Sequence, residues 1–315
     1  MTKLSITKPE KSLIFILVMV GALGTFYFRG LFLQNKLDNI ASKNEATRQN
    51  LKSQIFNKID LQAASAIVFD PAKNEAIYTL HSIKSRPIAS ITKIMTALVA
   101  LDQVPAGTII PISKQALSQE GDNGLYLDEK WLLHDLVKFM LVISSNDAAK
   151  AISSQLNQQS KSYSFIDEMN KKAADLGLTN TNFSDETGLD LNAQKAGAYS
   201  SAQDIATLAG HLFEKYPEIF GATASPEIEL KSESAISSHK IKNSNILVGS
   251  IPSIKASKTG FTNLAGGNLV VVFEVKPGHN LIAVVLGSTY DGRFSDMQKL
   301  IKASSDYFTL NKYEK

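Results

Sequence analysis

Hydrophobic positions follow strand and helix periods once the chain is past its first sixty residues. Residues 64–70 and 75–80 alternate apolar and polar side chains around a Pro-Ala-Lys-Asn turn, which predicts a β-hairpin. Residues 90–102 begin with a serine and carry a wide apolar face, which predicts a helix. The pattern thus changes from strand to helix within forty residues.

The later part of the chain predicts more helices and a second pair of strands. Its helical periodicity predicts helices at about 132–142, 146–156, 163–176, with Gly177 as a stop signal, and 201–215. Two apolar runs, 268–275 and 280–287, flank Lys-Pro-Gly-His and predict strands, and a last helix covers about 294–309. We therefore expect an α+β fold in which the first and last strands share one antiparallel sheet.

The N-terminal residues 13–28 are uncharged and mostly apolar, and three lysines precede them. We expect either a membrane anchor over residues 13–33 or a signal peptide cleaved at Ala22-Leu23-Gly24. The anchor is preferred because apolar residues continue past Gly24. The expected organisation is a basic tail 1–12, the anchor or signal peptide 13–33, a polar stalk 34–58, a folded domain 59–310 and a C-terminal tail 311–315.

Composition and charge exclude several classes of protein. The 315 residues are 44% hydrophobic and 20% charged, as in ordinary globular proteins. The absence of cysteine excludes disulfides, cysteine-ligated metal sites and a cysteine nucleophile. Residues 1–58 carry 9 Lys+Arg and 3 Asp+Glu, whereas residues 59–315 carry 24 and 27, so we expect no nucleic-acid partner. The five histidines are scattered without a ligand motif, and we expect neither a metal nor a cofactor.

Three short motifs in a fixed order carry the candidate chemistry. They match the S-x-x-K, S-x-N and K-T-G set of penicillin-binding proteins and serine β-lactamases. Taken alone, each motif fits a helix cap or a turn as well as it fits a catalytic site. The S-x-x-K pattern also begins at Ser5 and Ser237. Only the complete ordered set, with its first serine at the start of an apolar helix, is specific for this class of enzyme. The motifs are Ser90-Ile-Thr-Lys93, Ser144-Ser-Asn146 and Lys258-Thr-Gly260.

These residue types suit nucleophilic attack by a serine. A serine hydroxyl is a poor nucleophile until a base takes its proton, and the Lys93 amine, one helical turn from Ser90, can reach it. An amine acts as a base when burial or a nearby cation lowers its pKa, and Lys258 is a candidate for that cation. Ser144 can relay a proton to the leaving group, and Asn146 can hold a substrate amide.

The same motifs offer groups for an oxyanion and a carboxylate. A tetrahedral oxyanion needs backbone N–H donors, which the helix start at Ser90 and a strand edge beside Gly260 can supply. Glycine also lets a substrate backbone approach closely. Lys258 and Thr259, with an arginine distant in sequence, could bind a terminal carboxylate.

At this point the chain resembles the D-alanyl-D-alanine carboxypeptidases, the low-molecular-weight penicillin-binding proteins of serine peptidase family S11. The resemblance runs from about residue 63 to 308. It implies the DD-peptidase/β-lactamase-like, or transpeptidase-like, fold: an antiparallel sheet flanked by helices, a helical subdomain, and a site between them. It rests on residues 86–98, 141–149, 169–189, 201–206 and 258–266.

The resemblance also implies a role for each site residue. The spacing before the expected arginine is one residue shorter than in some relatives, and Ser145 stands where many relatives have glycine. The implied roles are nucleophile for Ser90, general base for Lys93, proton path for Ser144, substrate contact for Asn146, carboxylate binding for Lys258, Thr259 and Arg293, and oxyanion donors at Ser90 and Phe261, beside Gly260.

The expected function is that of a serine D,D-carboxypeptidase. It would act on peptidoglycan stem peptides ending in D-Ala-D-Ala through an acyl-enzyme on Ser90, and β-lactams would inhibit it. We expect it at the outer face of the cytoplasmic membrane, or secreted if a signal peptide is cleaved. The C-terminal domain and anchor of several relatives are not expected after Phe308, which leaves residues 13–33 as the tether.

Three other functions stay open at this stage. A D,D-endopeptidase that cuts peptidoglycan cross-links would carry the same motifs. A β-lactamase is less favoured because residues 179–191 contain Asp185 and Glu186 but no Glu-x-x-Leu-Asn pattern. A membrane-anchored binding protein with an inactive site is disfavoured by the intact motifs.

Overall fold

The computed structural model describes residues 8–105, 107–121, 124–159, 164–234 and 238–310. The first seven residues of the expected basic tail and the expected C-terminal tail lie outside them. The S-x-x-K copies at Ser5 and Ser237 also begin outside them. Backbone contacts divide the chain into two units, Met1–Asn57 and Lys58–Lys315.

The first unit contains one long helix, α1, at Lys8–Asn57. It includes both the segment expected as an anchor and the segment expected as a stalk. The stalk sequence lacks proline and glycine, so it contains nothing that would end a helix. Over the residues that the structure describes, no helix has the combination of length and hydropathy that a membrane span requires.

The second unit contains the remaining helices and all the strands of the described chain. Its helices are α2 Lys93–Gln103, α3 Leu133–Ile143, α4 Asn146–Gln159, α5 Phe165–Asp175, α6 Ala202–Lys215, α7 Pro217–Gly221 and α8 Gly292–Leu310. Short 3₁₀ helices lie at Ala89–Thr92, Ala116–Ser118 and Ala222–Ala224. Its strands are β1 Ser65–Asp70, β2 Glu75–Leu80, β3 Arg86–Pro87, β4 Ile109–Pro111, β5 Lys130–Leu132, β6 Asn182–Phe183, β7 Asp190–Asn192, β8 Lys195–Ala196, β9 Ala198–Ser200, β10 Glu227–Leu230, β11 His239–Lys242, β12 Ile254–Thr262, β13 Gly266–Lys276 and β14 His279–Ser288.

Five of these strands form the main sheet, in the order β12-β13-β14-β1-β2. All neighbours are antiparallel, and β1 pairs with β14 so that Ile67 lies opposite Val284. The first and last strands therefore share one sheet, as the sequence predicts, and the α+β expectation is confirmed. This pairing leaves β12 at an edge of the sheet.

Helices cover both faces of the sheet. Ile282 and Val284 of β14 belong to the main hydrophobic core, and Ala283 and Val285, which alternate with them, are also fully buried. Because side chains alternate across a strand, both faces must be covered. Helix α6 contacts β1, β13 and β14, and α8 contacts β13 and β14. The strands consequently show continuous apolar runs rather than a polar outer face.

A helical region stands beside the sheet, with α2 at its centre. Nine of the eleven residues of α2 are buried, from Lys93 to Leu101. It contacts α3, α4, α5 and α6. A helix buried on all sides must be apolar all round, which explains the wide apolar face seen in the sequence.

Two of the differences between the structure and the sequence prediction belong to the site. Ser90 lies in the 3₁₀ helix Ala89–Thr92, and the α-helix begins only at Lys93. The K-T-G motif lies inside β12, a nine-residue strand that hydrophobic periodicity does not indicate. Its buried side chains include the polar Ser257, Lys258 and Thr259, so the apolar alternation that marks a strand is missing.

One carboxylate links three helices of the helical region. Asp102, near the end of α2, accepts hydrogen bonds from Lys172 of α5 (2.7 Å), Lys215 of α6 (2.6 Å) and the Tyr216 hydroxyl (2.8 Å). Burial would raise the pKa of Asp102, but the bonds from Lys172, Lys215 and Tyr216 outweigh it and lower the pKa to about 2. Ionised Asp102 therefore stabilises the packing of α2 against α5 and α6.

We expect Asp102→Asn to lower the free energy of unfolding at pH 7 by about 1–3 kcal/mol, since a nearly buried charge network loses its anion. The pKa of Asp102 is depressed from its ordinary 3.8 to about 2, so this stability difference is complete above about pH 5 and narrows as the pH falls through 3.8 towards 2. Urea unfolding followed by Trp131 fluorescence at several pH values measures it.

Asp175→Asn is the matched control for that variant. Asp175 also pairs with a lysine, Lys171, at 2.7 Å, but both side chains are largely exposed. Exposed ion pairs contribute little to stability, so we expect no measurable change in the free energy of unfolding. Equal losses in the two variants would contradict the role given to Asp102.

Candidate active site

The three motifs meet where the edge strand β12, the start of α2 and the α3–α4 junction come together. Ser90, Ser144 and Asn146 are partly exposed there, whereas Lys93 and Lys258 are buried. The site therefore presents partly exposed hydroxyl groups next to two buried amines. A small exposed nucleophile above a buried base is the arrangement that nucleophilic catalysis requires.

The backbone that carries Ser90 is held in an uncommon conformation. Ala89 has φ +48°, a region that residues other than glycine rarely adopt. Gly188 packs directly against it, because a Cβ on Gly188 would lie 2.0 Å from the Ala89 carbonyl oxygen. Such strain persists where the surroundings impose it, and it is concentrated at functional sites.

Strand β12 approaches the same segment from the other side. A Cβ added to Gly260 would lie 2.7 Å from the Ile88 carbonyl oxygen and 3.2 Å from the backbone nitrogens of Ser90 and Ile91. Only glycine permits this approach between the edge strand and the Ser90 backbone. The backbone of Ser90 therefore lies beside Gly260, which directly precedes Phe261; Ser90 and Phe261 are the two residues expected to supply oxyanion donors.

The Lys93 amine makes three hydrogen bonds. Its Nζ lies 3.0 Å from Ser90 Oγ, 2.6 Å from Asn146 Oδ1 and 2.9 Å from the Thr187 carbonyl oxygen. Burial lowers the pKa of Lys93 to about 7, although Asp185 and Glu186 act in the opposite direction. Burial, rather than the neighbouring Lys258 cation that the sequence suggested, is thus the main cause. Near neutral pH a large fraction of the amine is uncharged and able to take a proton.

The α3–α4 junction presents the second motif through a tight turn. Ser144 has φ +69° and ends α3 in the left-handed conformation, and Asn146 is the first residue of α4. Between them, Ser145 is fully buried and its Oγ accepts a hydrogen bond from the Ala148 N–H at 3.1 Å. Ser145 therefore acts as the N-terminal cap of α4.

The side chain of Lys258 reaches the second motif rather than the first. Its Nζ donates to Ser144 Oγ at 2.7 Å and to the Thr259 carbonyl oxygen at 2.8 Å. The Thr259 hydroxyl in turn lies 2.7 Å from the Ser244 hydroxyl. The hydroxyl of Ser144 is thereby oriented by a buried amine that comes from strand β12.

Arg293, at the start of α8, lies against the K-T-G strand. Its Nη1 donates to the Gly260 carbonyl oxygen at 2.8 Å, and its guanidinium stacks on the rings of Tyr290 (4.5 Å) and Phe294 (4.7 Å). The Tyr290 ring also meets Phe261 edge to face at 5.0 Å between centroids. The one-residue difference in spacing therefore does not remove Arg293 from the site.

The positive charges of the site are concentrated around β12. Burial, together with the charges of Lys93 and Arg293, lowers the pKa of Lys258 well below its ordinary value. A bound carboxylate would favour the charged form of Lys258 and relieve this repulsion. The geometry can therefore supply a nucleophile, a base and a carboxylate-binding region within one cleft.

The structure brings together every residue that the sequence singled out, and it adds several backbone groups. The Thr187 carbonyl binds Lys93, and the Glu120 carbonyl accepts from Asn146 Nδ2 at 2.8 Å. Backbone carbonyls leave no residue-type signal, so sequence reasoning missed them. The one available signal is Gly188, whose neighbourhood was part of the family resemblance.

Comparisons with known proteins agree with this geometry. The family described as D-alanyl-D-alanine carboxypeptidase, peptidase S11, matches residues 49–289. The chain is 31% identical over 263 residues to the D-alanyl-D-alanine carboxypeptidase DacF of Bacillus subtilis, covering 81% of this chain and 65% of DacF. It is 32% identical over 242 residues to the D-alanyl-D-alanine endopeptidase of Escherichia coli, covering 74% of each.

The fold is similar to that of solved penicillin-binding proteins. Cefotaxime-bound penicillin-binding protein D2 of Listeria monocytogenes matches with a TM-score of 0.67 and 29% identity, over 78% of this chain and 98% of that one. The expected DD-peptidase/β-lactamase-like fold is therefore confirmed. The match covers between 61% and 65% of the first carboxypeptidase relatives, slightly under two thirds of their length.

We expect Gly260→Ala to slow the reaction of Ser90 with a β-lactam by about 100-fold, because the added methyl pushes β12 away from the Ser90 backbone. The rate of acylation measured with a fluorescent penicillin tests this. Gly221→Ala is the control, since a Cβ there would lie 3.8 Å from its nearest neighbour, an ordinary contact. An acylation rate of Gly260→Ala equal to that of the control would show that the close approach is not needed.

Proposed function

Since the chain belongs to the D-alanyl-D-alanine carboxypeptidase family, we propose that it removes the terminal D-alanine from peptidoglycan stem peptides. The single observation that carries this proposal is the Lys93 amine, which is buried, lies 3.0 Å from Ser90 Oγ and has its pKa lowered to about 7. A lysine with this pKa can act as a general base near neutral pH.

In the acylation step, Lys93 takes the proton of the Ser90 hydroxyl as Oγ attacks the carbonyl carbon of the penultimate D-alanine. The backbone N–H groups of Ser90 and Phe261 are the proposed donors to the oxyanion, because Gly260 lets the two backbones lie together. The peptide C–N bond then breaks as its nitrogen receives the proton that Lys93 took from Ser90, and D-alanine leaves. Ser144, held by Lys258 at 2.7 Å, is the proposed relay for that proton.

In the deacylation step, water attacks the ester of Ser90 and the proton returns to the serine oxygen. The same amine, now able to take a proton from water, is the proposed base. The products are D-alanine and a stem peptide shortened by one residue, so one water is consumed for each bond cleaved. A β-lactam would acylate Ser90 by the same attack and inhibit the enzyme.

Substrate binding is proposed to rest on the cations beside β12. Lys258, Thr259 and Arg293 would hold the terminal carboxylate, which a D-Ala-D-Ala end provides and an internal peptide bond does not. The lowered pKa of Lys258 supports this, since a bound anion would restore its charge. Asn146 would contact the substrate amide.

Cleavage of peptidoglycan cross-links is the second candidate function. It is favoured by the similarity to the Escherichia coli endopeptidase, of which the match covers a larger share than of the carboxypeptidases. A β-lactamase is not favoured, because Glu186 pairs with Lys150 at 2.9 Å and Asp185 accepts hydrogen bonds within its own loop. An inactive binding protein is disfavoured by the Lys93–Ser90 contact.

A location in the cell envelope follows from the proposed substrate. A peptidoglycan substrate requires the catalytic unit to lie outside the cytoplasmic membrane. Attachment through residues 13–33 stays a prediction from the apolar run and the lysines before it.

We expect the full chain to release D-alanine from a Lys-D-Ala-D-Ala peptide and Ser90→Ala to release none, because the nucleophile is lost. Enzymatic assay of free D-alanine measures both. Ser305→Ala is the control, since that hydroxyl bonds only the Ile301 carbonyl of its own helix. Equal release by Ser90→Ala and wild type would refute the assignment.

If the folded wild type does not release D-alanine, the carboxypeptidase proposal fails and cross-linked muropeptides become the substrate to test. Cleavage of a cross-linked dimer by wild type, with no release from the pentapeptide, would establish the endopeptidase reading. The same protein preparation serves for both substrates, so the two functions are compared directly.

We expect the acylation rate of Ser90 to rise with pH around a midpoint near 7, because only uncharged Lys93 accepts the serine proton. The pH profile of reaction with a fluorescent penicillin measures the midpoint. Lys93→Arg, which stays charged, should lose the reaction at every pH. A wild-type profile without a limb between pH 6 and pH 8, or an active Lys93→Arg, would contradict the role of Lys93.

A further inference from the structure

A tight turn at residues 185–188 lies next to the catalytic lysine. Oδ1 of Asp185 accepts the backbone N–H groups of Thr187 and Gly188, each at 2.7 Å, and also the Thr187 hydroxyl. That hydroxyl accepts the Leu189 N–H at 3.1 Å. One carboxylate oxygen thus fixes the backbone of the turn, as Asp and Asn do when their side chains bond the chain two residues on.

The turn directs two successive carbonyl groups at α2. The Glu186 carbonyl accepts the Thr96 hydroxyl at 2.7 Å, and the Thr187 carbonyl accepts the Lys93 amine at 2.9 Å. Thr96 and Lys93 lie one helical turn apart on α2. The two contacts therefore set the position of the turn along the helix and place the Thr187 oxygen against Nζ.

The contacts of Lys93 determine where its lone pair points. An uncharged amine has two N–H donors and one lone pair. The carbonyl oxygen of Thr187 and the amide oxygen Oδ1 of Asn146 can only accept, so they take the two N–H groups. The remaining neighbour, Ser90 Oγ at 3.0 Å, carries a proton to donate. The lone pair then faces the serine hydroxyl, which is the arrangement needed for proton removal.

We propose that Asp185 is a positioning residue: its carboxylate holds the turn that presents the Thr187 carbonyl to Lys93 and thereby aims the lone pair of Lys93 at Ser90. The inference rests on the proposed function of Lys93 as general base. Asp185 acts through backbone geometry and does not touch the substrate.

Asp185 also acts on Lys93 through its charge, and the two effects can be separated. The negative charge of Asp185 raises the pKa of Lys93. Asparagine at 185 keeps an oxygen acceptor and removes the charge, whereas glutamate keeps the charge and moves the acceptor by about 1.5 Å. The charged groups that face Lys93 or its neighbours are Asp185 and Glu186 from the loop, Lys150 of α4 paired with Glu186, Lys258 of β12 and Arg293 of α8.

The experiment compares Asp185→Asn and Asp185→Glu in the full chain by acylation with a fluorescent penicillin between pH 5 and pH 9. We expect Asp185→Asn to keep the acylation rate within about threefold of wild type at its optimum, with the acidic limb moved to lower pH. We expect Asp185→Glu to acylate about 10–100-fold more slowly than wild type, because a general base that is displaced from its substrate group removes the proton less efficiently. Circular dichroism and thermal unfolding check that both variants fold.

Asn192→Ala provides the matched control. Asn192 forms a turn of the same kind, accepting the N–H groups of Gln194 and Lys195 at 2.9 Å each, but its side chain is exposed and both of these hydrogen bonds stay within its own turn. We expect its acylation rate to equal that of wild type. A loss in this variant as large as in Asp185→Glu would assign the effect to general loosening of the fold and overturn the proposal.

Two further outcomes would overturn the positioning role while leaving the proposed function intact. One is wild-type acylation by Asp185→Glu. The other is a folded Asp185→Asn that is as slow as Asp185→Glu, which would make the charge decisive. If Asp185→Glu does not fold, Asp185→Asn decides alone, by keeping or losing its rate. A wild type that neither reacts with penicillin nor releases D-alanine would instead refute the function itself.

Discussion

The hydrogen bonding of one buried amine is the constraint that the site depends on. Lys93 is fully buried, and burying an amine is costly unless each of its N–H groups finds an acceptor. Its hydrogen-bond partners come from three parts of the chain: Ser90 one turn before it, Asn146 at the α3–α4 junction and the Thr187 carbonyl in the loop before β7. Satisfying the amine therefore requires the helical region to be assembled, and the same burial lowers the pKa that the proposed chemistry uses.

A second constraint is the close approach of backbones around Ser90. Gly188 packs on the Ala89 carbonyl from one side, and Gly260 of the edge strand packs on the Ser90 backbone from the other. Neither position has room for a Cβ, so both glycines are required by packing rather than by turn geometry alone. The strained φ of Ala89 is maintained between these two contacts, and the nucleophile is held without relying on its own side chain.

Relatives with two different named activities match this chain about equally well. The carboxypeptidase DacF of Bacillus subtilis is 31% identical and the endopeptidase of Escherichia coli is 32% identical, so overall similarity does not separate the two activities. The choice between a chain end and a cross-link must then depend on what surrounds Ser90 and Lys93. Here the charges of Lys93 and Arg293 add to burial in lowering the pKa of Lys258. Under the proposed function, this positive charge favours a substrate that brings a carboxylate.

The sequence by itself determined the hairpins, most helices and the residue types of the site, because apolar periodicity and side-chain chemistry are written in residue identity. It could not indicate β12, whose buried face is polar, nor the 3₁₀ turn at Ser90. It also could not reveal that the Thr187 carbonyl holds Lys93 or that the Glu120 carbonyl accepts from Asn146. Those features depend on backbone atoms, which are the same in every residue, so only the tertiary structure decides which carbonyl meets the buried amine.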